Sequence, residues 1–246
     1  MDNFKIKLAS HVVEVHGARE RTKTYCENYL CADAPDFTVS FTPRDYELER
    51  ERAIREAVQE GIGPICATDA QLEVTALQRK IAEKMFDYDT LVFHGSVVAV
   101  DGAAYLFTAK SGTGKSTHTT LWRQVFGSRA MMVNDDKPFL HIGEGEVTVY
   151  GSPWNGKHGL GANISAPLKA VCILERGEEN TIREIPAGEA LLMLLQQSNR
   201  PLDKGKMATY MELLDRMSHL VRFYRMKCNM DPDAARMAYE AMSGNQ

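Results

Sequence analysis

The chain has 246 residues, which is enough for one large domain or for a domain with a smaller companion. Its hydrophobic content of 44% and charged content of 25% are typical of a folded globular protein. A net charge of −4 argues against a surface built for nucleic acid or anionic membranes, and the longest apolar runs are too short to span a bilayer. The N-terminal residues lack the apolar segment of a signal peptide, so we expect a cytoplasmic location.

The five cysteines indicate reduced thiols rather than a disulfide framework, because their number is odd and only Cys26 and Cys31 lie close in sequence. The other three are Cys66, Cys172 and Cys228, and no second close pair completes a zinc-binding pattern. Cys172 lies inside an apolar run, where we expect it to pack as a small hydrophobic side chain.

The first ninety or so residues have the pattern of a small α+β region. Residues 4–15 predict one or two strands, and residues 36–41 alternate apolar and polar side chains, as a strand with one wet face does. Residues 46–59 form a charged helical stretch, and Asp69 is placed to cap a second helix over residues 70–86. No sequence motif in this region points to a chemical function.

A β-hairpin is predicted after this region. Two apolar runs, residues 97–100 and 103–108, flank Asp101-Gly102. Asp-Gly between two apolar runs is a strong hairpin signal, because both residues tolerate the positive φ angles of a tight turn. The second run is therefore expected to pair antiparallel with the first.

A phosphate-binding loop follows the second strand. Residues 109–117 match the P-loop pattern G-x-x-x-x-G-K-[ST], with Ala109 in place of the first glycine; the alternative is an ordinary glycine-rich turn. In such a loop the backbone amides cradle phosphate oxygens, Lys115 reaches the β- and γ-phosphates, and the Ser116 hydroxyl binds Mg²⁺. The helix that starts at the loop adds its positive end to the site. The predicted nucleotide-binding residues are Ser111, Gly112, Thr113, Gly114, Lys115, Ser116 and Thr117.

The rest of the chain predicts further strands and helices of an α/β fold. A short buried strand is expected at residues 130–133, and a hairpin with strands at 138–142 and 147–150 follows it. Beyond these, the pattern predicts strands at 168–175 and 220–228 and helices at 187–197, 205–217 and 233–242, the last with Asp231-Pro232 at its start.

Asp135-Asp136 follow the buried strand, twenty positions after Lys115. An acidic residue at a strand end beside a P-loop is where a Mg²⁺ ligand is expected, and two adjacent ones could divide metal binding and proton acceptance. The alternative is a solvated turn. His94 lies before the hairpin, beside Phe93, where a structural and a catalytic role are about equally expected.

The segment 151–158, Gly-Ser-Pro-Trp-Asn-Gly-Lys-His, is either a surface turn or a functional loop. It contains Trp154, one of only two tryptophans, and Lys157, which could meet a phosphate or carboxylate of the substrate. His118, in the first turn of the helix after the P-loop, is better explained by packing than by catalysis. Arg200 is expected to stabilise a helix C-terminus.

Taken in order, these motifs resemble the catalytic domain of HPr kinase/phosphorylase, which shares its fold with ATP-dependent phosphoenolpyruvate carboxykinase. The resemblance rests on His94-Gly95, the hairpin turn, the P-loop and Asn134-Asp135-Asp136, and it covers about residues 90–160. The 151–158 loop and the C-terminal run look more like small bacterial HPr-kinase-like proteins, among them lasso-peptide kinases.

The resemblance implies a kinase that uses ATP and Mg²⁺. His94 would balance charge beside the γ-phosphate, and Asp135 would act as the base toward a serine hydroxyl. Asp136 would support the metal together with Ser116, while Lys115 would hold the β- and γ-phosphates. The first ninety residues lie outside the resemblance, and the family's C-terminal signature for phosphorolysis has no counterpart in this chain.

The sequence therefore predicts an α/β fold with a mixed sheet, divided into a small α+β region over residues 1–90 and a kinase-like domain over 91–246. The expected reaction is transfer of the γ-phosphate of ATP to a hydroxyl, with serine of a peptide or protein as the favoured acceptor. Two alternatives stay open: a non-catalytic nucleotide-binding accessory protein of peptide maturation, and a kinase of a small hydroxyl compound such as free serine or a sugar. The expected partner is the acceptor, without nucleic acid or membrane, and a homo-oligomer stays open.

Overall fold

The computed structural model describes residues 2–59 and 67–244. The chain divides into two compact units, Met1–Lys84 and Met85–Gln246. That the first ninety residues form a domain of their own stays a prediction. Across the described residues, no helix is both long and apolar enough to cross a membrane.

The first unit combines a three-stranded sheet with helices. Strands β1 and β2 form an antiparallel hairpin and β3 pairs parallel with β2, so residues 4–15 belong to two strands rather than one. The elements are β1 (Asp2–Leu8), β2 (His11–Ala18), α1 (Glu20–Tyr25), β3 (Phe37–Ser40), α2 (Pro43–Gln59) and α3 (Asp69–Met85).

Helix α3 buries the apolar stripe that its sequence predicts. Leu72, Leu77, Ile81 and Met85 recur at helical spacing, and all four are buried. The start of the helix differs from the prediction by one residue. Thr68, not Asp69, is the cap, because the Thr68 carbonyl accepts the first helical hydrogen bond and its side chain pairs with the amide of Gln71.

The second unit contains nine strands in one sheet and four α-helices among its described residues. The strands are β4 (Thr90–Val92), β5 (Ser96–Val100), β6 (Ala103–Thr108), β7 (Ala130–Asn134), β8 (Phe139–Ile142), β9 (Val147–Tyr150), β10 (Ser165–Arg176), β11 (Thr181–Ile185) and β12 (Arg222–Cys228). The helices are α4 (Lys115–Phe126), α5 (Ala187–Gln197), α6 (Met207–Leu220) and α7 (Asp233–Ser243).

The sheet is mixed, as predicted, and the long strand β10 joins its two parts. Seven strands run in the order β4-β8-β9-β10-β6-β5-β7, and β12 pairs with both β10 and β11. Near its start β10 pairs antiparallel with β9, and further along it pairs parallel with β6 and β12. The predicted hairpin of β5 and β6 is present, with φ angles of 52° at Asp101 and 82° at Gly102.

Both faces of the central strands are buried. Along β6, Ala104 and Leu106 belong to a core cluster that includes residues of α5 and α6, whereas Tyr105 and Phe107 belong to a second cluster with residues of α4 and α7. A strand covered on both faces reads as a continuous apolar run, which is the pattern of residues 103–108. The second unit is therefore a layered α/β structure with helices on both sides of the sheet.

The cysteines agree with the reduced state. Cys26, Cys31, Cys172 and Cys228 are free thiols, while Cys66 lies outside the described residues. Cys172 is fully buried in the second core cluster, where burial raises the pKa of its thiol well above the ordinary value. The prediction that it packs as a small hydrophobic side chain is confirmed.

Candidate functional site

A loop follows the second strand of the β5–β6 hairpin, and parts of its backbone have conformations that only glycine adopts easily. Strand β6 ends at Thr108, and within the following loop Gly112 has a φ of 75° and Gly114 a φ of 120°. Such values are strained for residues with a Cβ atom. The loop closes on itself where the Thr113 N–H donates to the Lys110 carbonyl over 3.2 Å.

Helix α4 begins at this loop with its amides open. Gly114 is the N-cap; it offers no side-chain hydrogen bond, and the first turn contains no acidic residue. The first amides of a helix have no partners within the helix and carry the positive end of its dipole. This arrangement can bind an anion. Thr113, Gly114, Lys115 and Ser116 are half-buried, and Ser111, Gly112 and Thr117 are exposed.

Lys115 lies in the electrostatic field of two carboxylates. Burial lowers the pKa of its ammonium group, and the nearby Lys137 lowers it further, while Asp136 and Asp135 act in the opposite direction. Its Nζ is 3.4 Å from the carbonyl oxygen of Ala109. The structure therefore brings the predicted phosphate-binding lysine together with the predicted acidic pair.

Asp135 directly follows β7 and is only 6% exposed. Its Oδ1 accepts a 2.6 Å hydrogen bond from the Ser96 hydroxyl, which lies at the start of the neighbouring strand β5. The Ser96 hydroxyl is in turn 2.8 Å from that of Thr119 on helix α4. Buried hydroxyls thus connect the carboxylate to the helix that starts at the loop.

Asp136 is the more accessible member of the pair. Its side chain is 35% exposed, and its Oδ1 lies 3.4 Å from Nε2 of His94. Burial raises the pKa of this carboxyl, and Lys137 and Lys115 oppose the shift. The carboxylate is therefore open on one side and faces an imidazole on the other.

His94 is held by its backbone and is neutral at pH 7. Its N–H donates to the Gln197 carbonyl over 2.6 Å, and its carbonyl accepts from the Thr108 hydroxyl. Burial, followed by the charges of Lys137 and Lys115, lowers the pKa of its imidazole to about 3. Its contact with Asp136 is therefore that of a neutral imidazole with a carboxyl group, not an ion pair.

Gly95, next to His94, is closely packed against β6. A Cβ atom there would lie 3.0 Å from Cδ2 of Leu106 and 3.1 Å from the carbonyl oxygen of Phe107. The Gly95 N–H also donates to the Asp136 carbonyl over 3.0 Å. The His-Gly pair is thus tied to the acidic pair through the backbone as well as through the side chains.

Asn134 shapes the turn formed by Asp135, Asp136 and Lys137, here called the acidic turn, and this role was not predicted from the sequence. Its fully buried Oδ1 accepts from the amides of Asp136 and Lys137 at 2.9 and 2.7 Å. Its Nδ2 donates to the carbonyl and the hydroxyl of Ser152. An asparagine before a polar turn is the available signal, because this side chain often bonds the backbone two residues ahead.

The 151–158 loop packs against the acidic turn. The Lys137 N–H donates to the Trp154 carbonyl over 3.0 Å, and a Cβ at Gly156 would lie 3.4 Å from that of Asp136. Trp154 is 6% exposed and faces the ring of Phe139, so its indole mainly supports the loop. Lys157 is exposed beside this turn. Contact of either side chain with an acceptor stays a prediction.

Two other candidates have structural roles, as expected. His118 is 2% exposed, and its Nε2 accepts from the Trp122 indole N–H over 3.1 Å, so it belongs to the core. The Arg200 guanidinium donates to the Leu195 carbonyl near the end of α5, where a cation stabilises a helix C-terminus.

Arg176 contacts the glycine-rich loop, which is residues 109–114 between β6 and α4, and this contact was not predicted from the sequence. It is the last residue of β10, and its guanidinium donates to the carbonyl oxygens of Gly112 and Thr113. It comes more than sixty residues after the loop, so no local pattern could have linked the two.

No curated protein matches the sequence. Among solved structures, the HPr(Ser) kinase/phosphatase from Coxiella burnetii is similar with a TM-score of 0.34 and 12% sequence identity, over 62% of this chain and 99% of that one. The specific resemblance to HPr kinase therefore stays a prediction. The profile of the family described as SynChlorMet cassette protein ScmC matches residues 66–230, which is more than half of the chain. The chain belongs to the SynChlorMet cassette protein ScmC family.

Proposed function

We propose that this protein is an ATP-dependent kinase that transfers the γ-phosphate to a hydroxyl group, with serine of a peptide or protein as the favoured acceptor. One observation carries the proposal. Lys115, at the uncapped start of α4, shares its electrostatic environment with Asp135 and Asp136, and Asp136 contacts His94. A phosphate cradle beside a carboxylate pair contains the groups that phosphoryl transfer requires.

The residues of this loop fit the phosphates of a nucleoside triphosphate. Their backbone offers amides without side-chain caps, two glycines allow close approach, and no acidic residue in the first helical turn would repel phosphate. In this proposal, residues 111–117 bind the phosphates through their amides, and Lys115 places its charge beside the β- and γ-phosphates.

A Mg²⁺ ion fits Ser116 and Asp136. Within the described residues, no three His, Cys, Asp or Glu side chains form a metal-binding group of their own. Mg²⁺ needs no such group, because it commonly takes one or two protein ligands together with phosphate oxygens and waters. The half-buried Ser116 hydroxyl and the accessible Asp136 carboxylate are oxygen donors of the right kind. When bound, the ion would neutralise negative charge on the phosphates.

Asp135 is the proposed proton acceptor. As the acceptor oxygen forms its bond to the γ-phosphorus and the bond to the ADP oxygen breaks, the hydroxyl proton passes to the Asp135 carboxylate. The Ser96 hydroxyl occupies Oδ1 and holds the group in one orientation, while Oδ2 has no hydrogen bond among the described residues. His94, being neutral, would contribute a hydrogen bond rather than a charge, and Lys115 and Lys137 supply the positive charge.

A second candidate is a nucleotide-binding accessory protein without catalysis. Only 6% of Asp135 is exposed, so an acceptor hydroxyl has limited access to its carboxylate. The family description as a cassette protein also suits a protein that works beside others. Both candidates need Lys115, and only the kinase needs Asp135.

The test is phosphate transfer from labelled ATP. Purified protein is incubated with γ-labelled ATP, Mg²⁺ and either peptides encoded beside its gene or small hydroxyl compounds, and label in the acceptor is measured. The proposal expects label in at least one acceptor with wild-type protein and none with Lys115→Ala. Binding of ATP without transfer to any acceptor would favour the accessory function, and absence of ATP binding would overturn both.

A further inference from the structure

Strand β10 extends beyond its partner β6 and so reaches the level of the loop. Their parallel pairing ends with Ile173 opposite Thr108, the last residue of β6. Strand β10 continues for three more residues, supported on its other side by β12, where Arg176 pairs with Cys228. The side chain of Arg176 thus starts beside the segment that follows β6.

The guanidinium of Arg176 binds two successive carbonyl groups of the loop. Its Nη2 donates to the Gly112 oxygen, and its Nε is 3.4 Å from the Thr113 oxygen. The adjacent Glu175 carboxylate pairs with Arg225 instead, at 2.5 Å. The positive charge of Arg176 is therefore directed at the loop.

Fixing these carbonyls also fixes the amides of the same peptide planes. In a trans peptide the C=O and the following N–H point in opposite directions. The peptide after Gly112 already shows this, because the Thr113 N–H donates to the Lys110 carbonyl on the inner side of the loop. By the same rule, holding the Thr113 carbonyl on Arg176 turns the Gly114 N–H away from β10.

The loop needs an outside constraint because its own residues make few contacts that would fix its backbone. Gly112 has a positive φ and no atom within 4 Å of where a Cβ would be, so neither a side chain nor close packing fixes its backbone. A glycine-rich segment loses more entropy than other sequences when it binds a ligand, unless it is ordered beforehand.

We infer that Arg176 is a positioning residue of the nucleotide-binding loop, which it holds in the phosphate-binding conformation before ATP arrives. The inference rests on the proposed function. The planar fork of arginine can donate to two carbonyls at once, whereas the single ammonium of lysine cannot reproduce that geometry. If Arg176 acted only through its positive charge on ATP, lysine could replace it. If it acts by positioning the loop, lysine cannot.

The experiment compares Arg176→Lys and Arg176→Gln with wild type. Amide hydrogen exchange of residues 110–115 is measured without nucleotide, and the Kd for ATP–Mg²⁺ is measured by titration. Arg123→Gln is the matched control: it removes an exposed arginine from α4 whose side chain makes no hydrogen bond to the loop in the described part of the chain. Thermal melting confirms that each variant is folded.

Both Arg176 variants should exchange loop amides faster than wild type, and both should bind ATP about tenfold more weakly, since two hydrogen bonds are lost. The KM for ATP should rise while kcat stays within about twofold, because the reacting groups are untouched. Loop exchange equal to wild type, or full ATP affinity in Arg176→Lys, would overturn the inference, as would an equal loss in Arg123→Gln. Wild-type protein that does not bind ATP would instead overturn the proposed function, whereas the exchange result tests the Arg176 contact itself.

Discussion

The Ser96 hydroxyl donates to the Asp135 carboxylate over 2.6 Å, and both residues are buried. Ser96 has a single hydroxyl proton, and the carboxylate takes it. We therefore assign the Thr119 hydroxyl as the donor in their 2.8 Å contact, which is shorter than its 3.3 Å contacts with the carbonyls of Lys115 and Ser116. The hydrogen bonds therefore run in one direction, from α4 through Ser96 to Asp135. The carboxylate is held by the same helix that begins at the glycine-rich loop.

This pair of hydroxyl hydrogen bonds predicts that removing the Ser96 hydroxyl and removing the Thr119 hydroxyl lower the free energy of unfolding by different amounts. Ser96→Ala leaves a buried carboxylate without its charge-assisted bond and should lower the free energy of unfolding by about 1–3 kcal/mol. Thr119→Val removes a bond between two neutral hydroxyls and should cost roughly 1 kcal/mol. Urea denaturation at pH 7 measures both. A larger loss in Thr119→Val than in Ser96→Ala would contradict the direction assigned to these bonds.

Nucleotide binding should stabilise the fold. ATP–Mg²⁺ at a hundredfold excess over its Kd adds about 2.7 kcal/mol to the free energy of unfolding. Thermal melting with and without millimolar ATP–Mg²⁺ measures the shift. Lys115→Ala should lose most of it, because the charge beside the phosphates is gone.

Lys110→Ala is the control for that measurement, since Lys110 is an exposed lysine of the same loop. The Lys110→Ala variant should keep the rise in melting temperature that ATP–Mg²⁺ produces. The same loss in both lysine variants would mean that only the overall charge of the loop matters, and the specific role of Lys115 would then be wrong.

His94 should make stability depend on pH. Its pKa is lowered from 6.5 to about 3, so the unfolded chain binds a proton below pH 6.5 that the folded chain binds only near pH 3. The stability linked to this pKa shift is fully present above pH 6.5 and is lost as the pH falls from 6.5 to about 3. The slope is at most about 1.4 kcal/mol per pH unit, reduced by the solvent that reaches the exposed part of the ring.

The check is the free energy of unfolding of wild type and His94→Gln between pH 7 and pH 4.5. The difference between the two proteins should shift in favour of the variant as the pH falls. His118, whose pKa is lowered to about 4 by burial, is present in both proteins and cancels in the comparison. Parallel curves would show that His94 titrates normally in the folded protein.

Lys157 provides a test of the 151–158 loop. If the loop meets the acceptor, Lys157→Ala should raise the KM for the acceptor severalfold and leave the Kd for ATP unchanged, because the lysine is exposed beside the acidic turn and not in the glycine-rich loop. Steady-state kinetics at varied acceptor, together with an ATP titration, distinguish the two effects. Unchanged kinetics would show that Lys157 does not contact the acceptor.

Local patterns predicted the parts of this structure that depend on neighbouring residues. Asp101-Gly102 specifies its hairpin because both residues adopt positive φ, and the apolar stripe of α3 specifies its buried face. Strand β11 was not predicted because its sequence, Thr-Ile-Arg-Glu-Ile, is short, has three exposed residues and buries only Ile185, so it shows no sustained apolar pattern.

Contacts between distant residues could not be predicted in this way. Ser96 meets Asp135 across 39 positions because β5 pairs with β7, and that pairing is a property of the whole sheet. Arg176 reaches the loop because β10 lies beside β6 and is longer. A sequence pattern identifies residues that could carry chemistry, whereas the order of the strands decides which other side chains support them.

The most direct test of the proposed kinase is Asp135→Asn. The amide keeps the shape of the carboxylate but cannot accept the hydroxyl proton, and a positioned base typically contributes about 10²–10⁴-fold to the rate. Phosphate incorporation into the acceptor is measured beside an ATP titration, with wild type and Asp135→Asn in parallel. We expect ATP to bind the variant at least as tightly as wild type and transfer to fall by roughly 10²-fold or more. Transfer at the wild-type rate in Asp135→Asn would contradict the account.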